Sequence, residues 1–170
     1  MSAAGPLASL APMSRLEGRT DRGSRTIAAT PEDVYAALVE GERLEAWLPP
    51  EGMTGRLEHF DPRPGGGFRM VLTYLDPTDA PGKTSDAQDV VDVEFADLVP
   101  GETVVQRAVF DSEDPAYAGT MTMTWSLAPV DDGTEVVVTA TDVPSGIDQA
   151  VHEIGIASSL ANLAAYLERP

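Results

Sequence analysis

The 170-residue chain has no cysteine and only two histidines, His59 and His152. The missing thiols exclude disulfides, thiolate nucleophiles and thiolate metal sites. Two imidazoles give little support to zinc chemistry, and neither a metal nor a cofactor is expected. Positive charge is scarce as well: 11 Lys and Arg stand against 28 Asp and Glu, for a net charge of −17. Residues 1–25 hold Arg15, Arg19, Arg22 and Arg25 against Glu17 and Asp21, so the rest of the chain is more acidic still. Such a surface repels phosphate backbones, and nucleic acid is not an expected partner. Long apolar runs are also missing, which argues against a membrane span, and the start lacks the basic and apolar regions of a signal peptide. A cytoplasmic location is expected.

Motifs that would announce chemistry are absent or broken. Gly82-Lys83-Thr84 resembles the end of a phosphate loop, but Pro77 occupies the place of the first glycine. Gly65-Gly66-Gly67 is no dinucleotide fingerprint, since Met70 replaces its last glycine; its expected role is a sharp entry into a strand. No Gly-x-Ser-x-Gly nucleophile elbow occurs, and no catalytic residue is assigned.

What is present is a core-forming pattern: 42% of residues are hydrophobic, enough for one domain of this length. Residues 1–20, rich in Ala, Gly, Pro and Ser, read as a flexible tail, with Met13 a second candidate start. Residues 21–170 read as a single domain whose order begins near Arg22, in a first strand. Thr30-Pro31-Glu32-Asp33 supplies an N-cap, a proline at the first helical position and first-turn acids, so a helix runs to about Val39. Glu42 to Leu48 reads as a second short helix, stopped by Pro49-Pro50.

The period then changes from 3.6 to 2. Strands are expected at Met53–Phe60, Gly67–Leu75, Val90–Leu98, Thr103–Phe110, Thr120–Pro129 and Thr134–Thr141, with a polar loop at Asp76–Gln88. The clearest is TMTMTWSL, where Met121, Met123, Trp125 and Leu127 share one face and Thr120, Thr122, Thr124 and Ser126 the other. A long helix follows from Ile147 to Glu168, with Ile156, Leu160, Leu163 and Leu167 in one stripe. Only this helix is long enough to cover the apolar face of the sheet. The fold class is therefore α+β: a helix-grip fold in which a curved antiparallel sheet of six to seven strands wraps a long C-terminal helix.

Small residues, Gly155, Ser158 and Ser159, occupy the N-terminal half of that helix and would leave space beneath it. Candidate cavity-lining residues are Phe68, Met70, Tyr74, Met121, Met123, Trp125, His152, Ile156 and Ser159, with Arg107 joining them if its strand turns that side inward. The same Met and Trp stripe also fits a plain core. His152 also fits a helix-start imidazole bonded to a neighbouring carboxylate or to water, and His59, beside Glu58, fits the surface.

TPEDVYAALVEGERLEAWLPPEGM, DPRPGGGFRM and HEIGIASSLANLAAYL together resemble the helix-grip (SRPBCC) superfamily of START lipid-transfer domains, Bet v 1 allergens and polyketide cyclases. Within it the chain is similar, over about residues 22–168, to the domain named for the activator of Hsp90 ATPase. Trp47 with the proline that follows matches that family's turn after its second helix, and His152-Glu153-Ile154-Gly155 matches the opening of its last helix. Ile156 stands where many relatives carry tryptophan. The resemblance implies a carrier of a small apolar molecule, a cyclase- or hydrolase-type enzyme using the same cavity, or a partner of the Hsp90 chaperone. The first is the expected function, in a monomer or a homodimer. For the second, His152, Tyr74 or an inward carboxylate would act as acid or base.

Overall fold

The computed structural model describes residues 18–76, 88–110 and 112–169. Among the described residues there are seven strands: β1 (Arg19–Ile27), β2 (Met53–Asp61), β3 (Gly67–Tyr74), β4 (Gln88–Val99), β5 (Thr103–Phe110), β6 (Gly119–Val130) and β7 (Gly133–Val143). They form one antiparallel sheet in the order β1-β7-β6-β5-β4-β3-β2. Three α-helices accompany it among the described residues: α1 (Pro31–Val39), α2 (Gly41–Trp47) and α3 (Gln149–Leu167). The architecture is the expected α+β helix grip.

Local chemistry explains the boundaries. Thr30 Oγ1 accepts the Asp33 N–H at 3.1 Å ahead of Pro31, which starts α1. Asp148 caps α3 in the same way, taking the Val151 N–H at 2.9 Å, so α3 begins two residues after the expected Ile147. Gly133, at φ +141°, makes the hairpin between β6 and β7, where a Cβ would stand 2.1 Å from the Ile27 carbonyl oxygen. β1 starts at Arg19, earlier than the expected Arg22, because Arg19 pairs with Val143 of β7 and its guanidinium engages Asp21. Residues 77–87, which hold the expected loop and Gly82-Lys83-Thr84, lie outside the described residues.

Alternation divides the sheet into two faces. Phe68, Met70, Leu72, Phe95, Val104, Met121, Trp125, Leu127, Val136, Val138 and Ala140 are buried on the inner one. α3 does not cover this face alone. It lies along β1, where Ile156, Leu160 and Leu163 are buried, while α1 and α2 roof the part around Trp125. There Trp47 packs edge-on against Trp125, with ring centroids 5.9 Å apart. Helix length alone therefore does not decide which helix covers the face.

Both open edges of the sheet are blunted by helix carboxylates. Glu153 of α3 accepts the N–H of Arg22 in β1, Glu168 at the end of α3 accepts that of Ala28 just past β1, and Glu45 of α2 accepts that of Leu57 in β2. These bonds occupy donors that would otherwise invite another strand. Among the described residues no helix is long and apolar enough to cross a membrane.

Candidate functional site

The most unusual chemistry on the inner face lies at the start of β1. Asp21 is fully buried, yet it is an ion. Arg19 grips it bidentately, Nε to Oδ1 at 3.0 Å and Nη2 to Oδ2 at 2.9 Å, and His152 of α3 places Nδ1 2.6 Å from Oδ2. Burial raises the Asp21 pKa, but hydrogen bonds from Arg19 and His152, with their charge, outweigh it and hold the carboxyl below its ordinary value. A register shift between Arg19 and Asp21, opposite Asp142 at φ +59°, distorts the β1–β7 ladder here. The Asp142 carboxylate fixes the distortion by accepting the Gly18 N–H at 3.0 Å.

The consequence falls on His152. A carboxylate at Nδ1 holds a proton on that nitrogen, so Nε2 accepts in the neutral ring and donates in the charged one. Nε2 has no hydrogen-bond partner among the described residues. No buried side-chain nitrogen or oxygen there lacks a partner, so Nε2 reaches accessible space. The expectation that His152 meets a neighbouring carboxylate agrees with this geometry, although the carboxylate comes from 131 residues away.

Strand register shows what lies beneath. Asp21 pairs with Ala140, Ala140 with Met123, Met123 with Gln106 and Gln106 with Phe95, which makes one row across the inner face. Gln106, absent from the expected lining, is 8% exposed and accepts the Trp125 indole N–H through Oε1 at 3.0 Å. Since indole only donates, the oxygen is fixed as the bonded atom and the amide nitrogen is left over. That nitrogen has no partner among the described residues and, by the same reasoning as for Nε2, touches accessible space.

The expected lining residues divide accordingly. Met121 and Trp125 are buried and Met123 half-buried, all on β6 beside this row. Ser159 is half-buried and shares a helix side with Gly155, where a Cβ would meet nothing within 4 Å. Further along that side, Asn162 and Tyr166 border a depression of about 360 Å³ with Ala46, Trp47 and Pro49, so the side faces α2. Ile156 instead seats on Gly23 of β1. Phe68, Met70 and Tyr74 lie on β3, at the other flank of the sheet, and Phe68 packs with Phe60 and Phe95 at centroid distances of 6.4 and 5.8 Å.

Arg107 does not turn inward. Its neighbours Gln106 and Ala108 take the inner positions of β5, and Arg107 sits half-exposed on the outer face, paired with Glu94 at 3.2 Å. There it borders a depression of about 430 Å³ with His59, Asp61 and Asp92. His59 is exposed, as expected.

Solved structures share this fold. A Chromobacterium violaceum protein is 30% identical, with a TM-score of 0.73 over 89% of this chain and 99% of its own. A Mesorhizobium loti protein is 22% identical, with a TM-score of 0.69 over 89% and 98%. DynU16, a protein in the dynemicin biosynthetic locus, is 20% identical, with a TM-score of 0.62 over 88% of this chain and 47% of its own. No curated protein matches the chain by sequence. The family model described as activator of Hsp90 ATPase homologue 1-like protein matches residues 28–168. With β1 to α3 in the helix-grip order and that model matched over most of its length, the chain belongs to the activator of Hsp90 ATPase homologue 1-like family.

Proposed function

We propose that the protein binds a small apolar molecule between the inner face of the sheet and the N-terminal half of α3, with His152 as its polar anchor. The observation that carries this reading is the buried Asp21 ion. Taking a carboxylate and its partners out of water costs several kcal/mol, and an apolar replacement of similar volume is often as stable. A group held ionised at that cost, aimed at one imidazole whose other nitrogen is open, has the marks of a site. Met121 and Met123 supply an adaptable floor and Ser159 with Gly155 a low roof.

The same dyad favours a second reading, a cyclase- or hydrolase-type enzyme, because a carboxylate-oriented imidazole is also a general base. DynU16, named for a biosynthetic locus, has the same fold. The family name brings a third, an Hsp90 co-chaperone.

Nile red titration tests the binding reading. Wild type is expected to give saturable, blue-shifted emission. Ser159→Leu should abolish it while changing unfolding free energy by less than about 1 kcal/mol, since the side chain enters open space. Unsaturable emission, or a Ser159→Leu that loses about 1 to 3 kcal/mol by overpacking, would mean that side chains already fill the volume.

A further inference from the structure

We infer that Gln106 selects the ligand: its amide nitrogen donates a hydrogen bond to a carbonyl-type oxygen at the end of the molecule that enters first, and the apolar remainder lies back along β4 and β5. This rests on the binding reading above and adds which group of the molecule is recognised and which way the molecule points.

The donor follows from a partner whose chemistry admits one role. An indole can only donate, so the Gln106 atom 3.0 Å from Trp125 Nε1 is the amide oxygen, and the group left over is the NH2. No change of pH reverses that choice, since neither side chain titrates. The indole is itself pinned. Trp125 is 3% exposed and meets Trp47 edge-on, and Trp47 commits its own N–H to the Ala37 carbonyl of α1 at 2.8 Å. The amide cannot turn over without breaking a nearly buried bond. Its nitrogen has no partner among the described residues, yet it reaches accessible space from a residue only 8% exposed. A molecule that drives water off this donor and offers nothing in return forfeits a hydrogen bond, whereas one that brings an oxygen keeps it.

Burial along the inner face gives the orientation. On β5 it falls from Val104, at 0% exposure, through Gln106 to half-buried Ala108 and Phe110; on β4, which runs the other way, it falls from Phe95, at 0%, to half-buried Val93 and Val91. Both strands are closed near Trp125, where α1 and α2 roof the sheet, and both open toward the same end. Gln106 stands where the closed part begins. The inner positions between it and the opening on these two strands are all apolar, and Met123 of β6, which pairs with Gln106, is half-buried too. A molecule sliding in from the Phe110 end therefore meets apolar side chains first and reaches Gln106 with its leading group.

Competition against Nile red tests this with two probes of one shape, a dimethylaminonaphthalene carrying a propionyl group and the analogue carrying propyl in its place. They differ only in the acceptor oxygen. On wild type the ketone is expected to displace Nile red at about tenfold lower concentration than the propyl compound. In nitrogen-edited spectra the ketone should move the Gln106 side-chain amide protons downfield, and the propyl compound should not. Gln106→Met, similar in length but without a donor, should bring the two probes to within about twofold of each other; circular dichroism checks its fold. The wild-type comparison decides the matter even if that variant does not fold. Two probes within about twofold on wild type, or a ketone that leaves the Gln106 amide protons unmoved, would overturn the inference while the binding reading stands. A protein that takes up no Nile red would overturn both.

Discussion

Gly23 of β1 lies directly under Ile156 of α3, so close that a Cβ on the glycine would stand 2.7 Å from the isoleucine Cγ2 and 3.6 Å from Leu160 Cδ1. The missing side chain lets α3 settle onto the edge strand. It also lets Glu153 reach the Arg22 N–H at 3.2 Å and His152 reach Asp21. Gly23→Ala is therefore expected to destabilise by about 1 to 3 kcal/mol through overpacking. Thermal melts should fall by roughly 2 to 4 °C per kcal/mol. An unchanged or higher melting temperature would mean that α3 does not rest on β1.

Gly155 is the opposite case. A Cβ there meets nothing within 4 Å, and its backbone is ordinary helix. Gly155→Ala should stabilise by about 0.5 to 1 kcal/mol, the helix-propensity difference. Chemical denaturation measures it, and a loss of stability would place packed atoms on that side of α3.

Asp21 sets an acid dependence. Its carboxyl is held below the ordinary value in the fold, so its ion pair stabilises at pH values above that of an unfolded aspartate. That contribution is lost as pH falls below about 4 and the carboxylate takes up its proton. Asp21→Asn should cost about 2 to 4 kcal/mol at pH 7, and the gap from wild type should narrow toward pH 3. Denaturation curves at both pH values check this. A gap that stays constant would show Asp21 unpaired in solution.

Arg107 gives a control. Its outward position predicts that Arg107→Ala changes Nile red affinity by less than about twofold, since its partner is Glu94 on the other face. A tenfold loss in the same titration would place its guanidinium inside the grip.

Much of the architecture was legible because period alone dictates it. Pro31 to Val39 and Thr103 to Phe110 run between the expected residues, since a cap, a proline and strict alternation fix their ends. The site was less legible. His152 could be singled out as one of two imidazoles, but its partner is 131 residues away, and Asp21 counted only as charge near a tail. No local pattern announces a contact that depends on β1 and α3 lying side by side. Gln106 did carry a signal: it is the polar member of the inward set Val104, Gln106, Ala108 and Phe110, and a polar residue on an apolar face asks for a partner. Arg107 was the charged residue beside it, and one step along a strand is a change of face.

The most direct measurement is the methyl spectrum of protein labelled at its methionines, titrated with Nile red. Met121 and Met123 lie on the inner face of β6, whereas Met53 opens β2, at the far edge of the sheet. Binding between sheet and helix predicts saturable shifts of the Met121 and Met123 methyls, abolished by Ser159→Leu, with Met53 unmoved. Shifts confined to Met53, or no saturable shift at any methionine, would contradict it.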